Sequence, residues 1–389
     1  MFSDRTSWKL TRNRLTEALE EVRSSGTRVL DLTLSNPTRA GLQYDEVRIL
    51  QALASPQAMD YDPQPKGLSG ARAAVAAYYR TLPGIQQFDS ERLILTTSTS
   101  EGYSFVFRLL CNPGDELLVP KPSYPLFEFL ADLQDVKLVP YPLIYDHGWQ
   151  MDFPSLEKAV TKRTCGVVVV HPNNPTGSYV HADERETLNG FCREHQIAII
   201  ADEVFLDYAH DGESERSFAA NEDVLTFTLS GVSKISALPQ MKVAWVATSG
   251  PAAEIEEALA RLEVISDTYL SMNAPMQWAL PALLAQRKSI QQQLLNRVRN
   301  NLAETDRQLA AQKTCQRLSV EAGWYAVLRV PVTQTDEELA IGLLRRKSVL
   351  VHPGHFYDFP SDGYLVLSLI TPQAEFAEAL QRLLEVLNS

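Results

Sequence analysis

A lysine among small residues just past an apolar run can serve as an amine nucleophile. Ser230-Gly231-Val232-Ser233-Lys234 is such a segment. Small neighbours let a bulky partner approach the backbone, and strand ends are where α/β sheets place ligands. Alone the segment says little, because a loop lysine is usually a solvated surface residue. Upstream, Asp202 ends the run Ile197-Ala198-Ile199-Ile200-Ala201. A carboxylate at the end of a buried strand is costly unless a cation or a donor meets it. A protonated ring nitrogen would do so, and a helix cap or a structural ion pair would do so equally well. His171-Pro172-Asn173-Asn174-Pro175-Thr176-Gly177 follows the apolar run 167–170. Its two prolines and closing glycine make a rigid turn, from which Asn174 could donate to a ring oxygen. Thr96-Thr97-Ser98-Thr99-Ser100-Glu101 lies between a strand pattern and a helix pattern. Hydroxyls and free N–H groups there form an anion site, although an ordinary helix cap is the commoner use. Pro122-Ser123-Tyr124-Pro125 puts an aromatic past another strand end, to stack on a ring or to sit in a plain turn.

These segments need strands to hold them, and the pattern supplies them. Apolar runs occur at 93–97, 116–120, 136–140, 166–170, 197–201, 224–229 and 243–248. Several are nearly continuous Val, Ile and Leu, as expected of strands covered on both faces. Helical patterns lie between them at 100–111, 124–133, 182–195 and 252–266. Leu10, Leu15, Leu19 and Val22 space a further amphipathic helix over 10–25. Alternation of this kind predicts an α/β fold with a mostly parallel sheet. After about 275 the texture changes. A long helical pattern at 288–312 precedes strands at 326–330 and 364–369, with helices at 335–346 and 372–388. The reading is a large domain over 46–285 and a smaller α+β domain built from 1–45 and 286–389.

Composition sets the outer limits. The 389 residues exceed one ordinary core. A net charge of −12 without a basic tract argues against nucleic acid or anionic lipid as partner. Cys111, Cys165, Cys192 and Cys315 are scattered, with no C-x-x-C pair, and read as free thiols in a reducing compartment. The first nine residues lack the apolar stretch of a signal peptide, and no uncharged apolar run approaches membrane-spanning length. A cytoplasmic protein is expected, with no metal site.

Taken together the motifs resemble fold-type I pyridoxal-phosphate enzymes, specifically the class I/II aminotransferases, over roughly 29–384. The matching pieces are Leu34-Ser35-Asn36-Pro37, Tyr61 with Gly67-Leu68, Thr97-Ser98-Thr99 and Asn112-Pro113-Gly114-Asp115. Pro122-Ser123-Tyr124-Pro125, Asn173-Asn174-Pro175-Thr176-Gly177, Asp202-Glu203-Val204, Ser233-Lys234 and Pro353-Gly354 complete them. Asn174 and Asp202 are 28 positions apart, and Asp202 and Lys234 are 32 apart, gaps that suit the family. The resemblance implies a seven-stranded, mostly parallel sheet between helices. It implies pyridoxal 5′-phosphate bound as a Schiff base on Lys234, which also moves the substrate proton. It implies Asp202 on the pyridinium nitrogen, Asn174 on the ring oxygen, and Tyr124 stacked on the ring. Thr97, Ser98 and Thr99 would hold the phosphate, with Ser233 or Ser230 adding a hydroxyl. Tyr61 would reach the phosphate of the other subunit of a homodimer.

Three positions depart from the family. Phe205 stands where a tyrosine usually donates to the ring oxygen, so the Schiff base is expected to have a raised pKa unless Tyr208 compensates. Lys242 replaces the phosphate arginine, keeping charge and losing the bidentate fork. The family's Leu-Arg-Leu-Ser reads Leu365-Val366-Leu367-Ser368 here, so the arginine that clamps a substrate carboxylate is absent. Arg39, after Asn36-Pro37-Thr38, and His355 are the candidate replacements, with Asn36 in the same loop.

The implied function is a transaminase passing an amino group between an amino compound and a 2-oxo acid through pyridoxamine phosphate. Val366 gives weight to an alternative: a pyridoxal-phosphate lyase, or an amine transaminase whose substrate has no clamped carboxylate. A cofactor-sensing regulator would need a DNA-binding segment ahead of residue 29, where there is no room. A degenerate scaffold would not need Lys234, Asp202 and Asn174 together.

Overall fold

The computed structural model describes every residue except Leu126, Glu213, Ser271 and Ser389. Its centre is one eight-stranded sheet. In chain order the strands are β1 (Leu93–Thr96), β2 (Glu116–Lys121), β3 (Lys137–Tyr145), β4 (Trp149–Met151), β5 (Thr164–Val170), β6 (Ala198–Asp202), β7 (Thr226–Gly231) and β8 (Ala244–Ser249). Across the sheet they run β1-β8-β7-β6-β5-β2-β3-β4. The pairs β7/β6, β6/β5, β5/β2 and β2/β3 are parallel. β8 runs antiparallel between β1 and β7. The expected mostly parallel, helix-covered sheet is therefore present, with one strand more than the seven expected. The addition is β4, three residues that fold back antiparallel on β3 and are too short to show a period-two pattern.

Both faces of the sheet are covered, which explains the continuous apolar runs. Ile94, Val119, Val168, Ile200, Leu229 and Val246 point to one face, packed under helices Thr99–Leu110 and Ala252–Thr268. Leu95, Trp245 and Ala247 point to the other, against helices Ser69–Tyr79 and Ala274–Ala285. Val167, Val169, Ile199 and Ala201 share that second face and meet helix Ala182–His195. Every second residue changes side, as the pleat requires.

A separate core gathers the two ends of the chain. Leu15, Leu30 and Leu32 join Val298, Leu339, Leu344, Leu367 and Leu380. Its sheet has β9 (Gln316–Arg317), β10 (Tyr325–Arg329), β11 (His352–Pro353) and β12 (Tyr364–Ser368), all antiparallel in the order β9-β10-β12-β11. Leu30–Asp31 adds a parallel two-residue ladder with Val349–Leu350, so the N-terminal stretch packs on the C-terminal part. No described helix is long and apolar enough to cross a membrane.

Candidate active site

The motif residues meet at one edge of the large sheet. β1, β2, β5, β6 and β7 all end there, and each feeds its loop into the same space. Such a crevice beyond the carboxyl ends of the strands is the usual ligand position in open α/β sheets.

Lys234 follows β7 through Gly231, where a Cβ would come within 2.8 Å of the Val243 carbonyl oxygen. The chain can pass there only without a side chain. Lys234 Nζ lies 4.8 Å from the Trp324 ring centre and 5.4 Å from that of Phe205. Burial brings its pKa down to about 8, against the opposing pull of Asp202. Its carbonyl oxygen accepts from Tyr208 Oη at 2.6 Å, which fixes the backbone that carries the amine.

Asp202, at the end of β6, is 6% exposed. Its Oδ2 accepts from Tyr103 Oη at 3.0 Å and its Oδ1 from the Val204 N–H at 3.1 Å. Burial still pushes its pKa up to about 6, because these two donors and Lys234 offset only part of the lost hydration.

The Asn174 loop is braced on two sides. Asn173 Oδ1 accepts from Ser123 Oγ at 2.9 Å, and Asn173 Nδ2 donates to the Pro122 carbonyl at 3.1 Å and to Thr176 Oγ1 at 2.9 Å. Behind it, the Ala322 N–H donates to the Gly177 carbonyl at 2.9 Å. Gly177 has φ 68°, and a Cβ there would strike the Ala322 carbonyl. Asn174 itself is buried, and its Oδ1 has no partner. Tyr124, half-buried beside Asp202, has its phenol pushed up to about 12, first by burial and then by the carboxylate.

Past β1, Ser98 caps helix Thr99–Leu110, its Oγ accepting from the Glu101 N–H at 3.1 Å. The Thr97 N–H is taken by Glu101 Oε2 at 2.6 Å. The first helical N–H groups have no intrahelical acceptor, and they open toward this edge.

A family model described as aminotransferase class I and II matches residues 27–383. The chain belongs to the class I and II aminotransferases. It is 29% identical over 372 residues to the alanine aminotransferase of Mycobacterium tuberculosis, covering 92% of this chain and 86% of that one. It is 27% identical over 383 residues to the glutamate-pyruvate aminotransferase AlaA of Haemophilus influenzae, covering 96% and 93%. Among solved structures, an alanine aminotransferase from Pyrococcus furiosus superposes with a TM-score of 0.91 over the whole of both chains at 22% identity. An aspartate aminotransferase single mutant from Thermus thermophilus gives 0.84 over both chains at 24%. The chain is thus an enzyme, a transaminase, with the fold these neighbours share.

Within this aminotransferase, several predicted residues stand apart from the buried cluster. Lys242 is exposed, but it lies two residues before Ala244, the register partner of Thr96. Ser233 is half-buried beside Lys234, while Ser230 is buried and bonds weakly to the Glu203 carbonyl at 3.4 Å. Tyr61 is 78% exposed. Asn36 spends its Oδ1 on Thr38, accepting from its N–H at 3.0 Å and from its Oγ1 at 2.7 Å. This is a local cap of the turn Pro37–Arg39. Arg39 is exposed, and His355 is exposed with its ring edge-on to Phe356.

Tyr208 does not compensate for Phe205, since its hydroxyl serves the Lys234 carbonyl. Val366 is fully buried, paired with Val327 and His352 on the neighbouring strands. Tyr103, Trp324 and Tyr325 were not among the predicted site residues. Tyr103 reads as an apolar helix position, and the others lie some 90 residues beyond Lys234 in chain order. Tyr325 lies near both Ser35 and Tyr124, so the 35–39 turn borders the site.

Proposed function

We propose that this transaminase holds pyridoxal 5′-phosphate on Lys234 and passes an amino group between a 2-amino acid and a 2-oxo acid. The observation that carries the reading is the pairing of Lys234 and Asp202 at the ends of adjacent strands. One is an amine kept near neutrality, at about 8, and the other a carboxylate kept dry, at about 6. The cofactor fits these residues. A cationic ring nitrogen would meet the Asp202 carboxylate that burial leaves under-solvated, and a ring oxygen would accept from the amide Nδ2 of the buried Asn174.

When bound, the cofactor's ring supplies a sink for the electron pair left as the substrate Cα–H bond breaks. Lys234 Nζ, with its lowered pKa, takes that proton and returns it one position away. Asp202 keeps the ring nitrogen protonated, and Tyr103 keeps Asp202 in place. Tyr124 covers the ring. Ser98 and Thr99 hold the phosphate with Thr97, Ser233 and Lys242; Ser98 Oγ accepts from the helix and still has its own proton to donate. Arg39 is assigned the substrate carboxylate, with Asn36 and His355 beside the entrance. Tyr61 reaches the partner's site in a homodimer, a reading supported by its exposure alongside Met59, at 88%. The division into 46–285 and 1–45 with 286–389 is supported by a core drawn mainly from the two chain ends, which Trp149, Phe205, Tyr208 and Ala237 also enter. A cytoplasmic location is supported by four free cysteines.

The test is direct. Borohydride reduction of the yellow protein should fix the cofactor to Lys234, located by peptide mass. Alanine and glutamate, the donors suggested by the relatives' names, should release 2-oxo acids. Label on another lysine, or no 2-oxo acid from any of a broad donor panel, would overturn the reading.

A further inference from the structure

Acidic side chains outnumber basic ones in this protein, 48 to 36. Three arginines nevertheless converge on one cleft of about 820 Å³: Arg80, Arg92 and Arg216. None of them forms an ion pair with a described carboxylate. The Arg216 guanidinium is braced on the wall by donating to the Ala220 carbonyl at 3.2 Å. Two acids also line the cleft. Asp89 uses its Oδ1 to cap the turn Ser90–Arg92, accepting from the Glu91 N–H at 2.9 Å. Glu222 is the other. Three cations therefore face two carboxylates, one already engaged, and the amides of Gln86 and Gln87 add neutral donors.

The cleft is remote from Lys234. Arg92 immediately precedes β1, and Glu222 lies shortly before β7, whereas Lys234 follows the far end of β7. Six residues of strand separate the two ends by about 20 Å. Arginine forks match the planar oxygens of carboxylate and phosphate. The volume lies in the range of small-ligand sites. A net positive cleft on an acidic surface concentrates anions locally.

We propose that this cleft binds a small polyanion carrying two or more carboxylate or phosphate groups, at a site separate from the catalytic one. The experiment is calorimetric titration of the full-length, cofactor-saturated protein at low ionic strength with pyrophosphate and with citrate, and with acetate as the monoanion control. Saturable binding of at least one polyanion with Kd below about 1 mM is expected, with none for acetate. Pyrophosphate alone would identify a phosphate ligand, and citrate alone a polycarboxylate. In Arg80→Gln/Arg92→Gln the affinity should fall by about tenfold or more, as two charged hydrogen-bonding partners are lost. Arg216→Gln should weaken binding too. Arg80 and Arg216 are exposed, Arg92 is half-buried, and all three lie at the far end of the sheet from Lys234, so unchanged melting and unchanged transamination are expected in both variants. Absence of binding by either polyanion, or equal affinity in wild type and the double variant, would overturn the proposal.

Discussion

Replacing Asp202 with asparagine should stabilise the cofactor-free protein while destroying its use as an enzyme. Burial moves the Asp202 carboxyl from an ordinary value of 3.8 to about 6 in the folded chain. The folded state therefore binds this proton more tightly than the unfolded state does. Between those two values it carries the extra proton, and stability falls as pH rises through the window. Above about 6 the whole penalty is in place, about 3 kcal/mol at 1.36 kcal/mol per pH unit. Asparagine has no charge to desolvate, and its oxygen can still accept from Tyr103 Oη or from the Val204 N–H. Urea unfolding of cofactor-free wild type and Asp202→Asn should give near-equal stabilities at pH 4. At pH 8 the variant should be ahead by about 3 kcal/mol. With pyridoxal phosphate present the order should reverse, because the pyridinium that offsets the carboxylate has lost its partner. A gap that does not change between pH 4 and pH 8, or a variant less stable than wild type at pH 8, would show that Asp202 is not held at a cost in the empty fold.

Other tests follow from the same contacts. Lys234 of the cofactor-free protein should condense with pyridoxal phosphate with a rate midpoint near pH 8, because burial holds its amine at about 8; a midpoint near 10 would contradict this. Tyr208→Phe removes one of the donors to the Lys234 carbonyl, which keeps the Ala237 N–H at 3.0 Å, so it should lower stability by about 0.5–1.5 kcal/mol in denaturant titrations. Phe205→Tyr returns a hydroxyl to the family position and should lower the Schiff-base pKa by about one unit, read from absorbance against pH. Arg39→Ala should raise KM for the amino acid by about two- to fivefold, the range of a solvent-exposed ion pair, with kcat little changed.

The sheet was legible in the residues because parallel strands covered on both faces leave nearly unbroken Val, Ile and Leu. The loops were legible because Asn174, Gly177 and Gly231 sit where backbone geometry allows few alternatives. Helix Ala274–Ala285 was not read: it is apolar nearly all round, with Pro281 inside it, so it shows no amphipathic period. Helix Ser69–Tyr79 is rich in alanine, and its buried face has little contrast. Tyr103, Trp324 and Tyr325 escaped for another reason. Each acts on a residue distant in the chain, and such a contact exists only once the sheet and the smaller core have come together. Asn36 has a local use that its type and place did not single out: its Oδ1 caps the turn it opens.

The same reasoning bears on how this aminotransferase recognises a carboxylate. On the strand where the family pattern has arginine, Val366 is sealed between Val327 and His352. Burial pushes the His352 ring down to about 4, so it is uncharged at neutral pH. That wall offers no fixed positive charge, and a substrate carboxylate turned toward it would lose hydration without compensation. On the proposed assignment of Arg39, the charge is met from the rim, where the 35–39 turn lies near Tyr325 and Tyr124 through Ser35. A rim arginine stays hydrated and screened by salt, unlike a buried one. Recognition built this way is weaker per contact and sensitive to ionic strength. It also leaves the neutral wall free to accept an apolar part of the substrate.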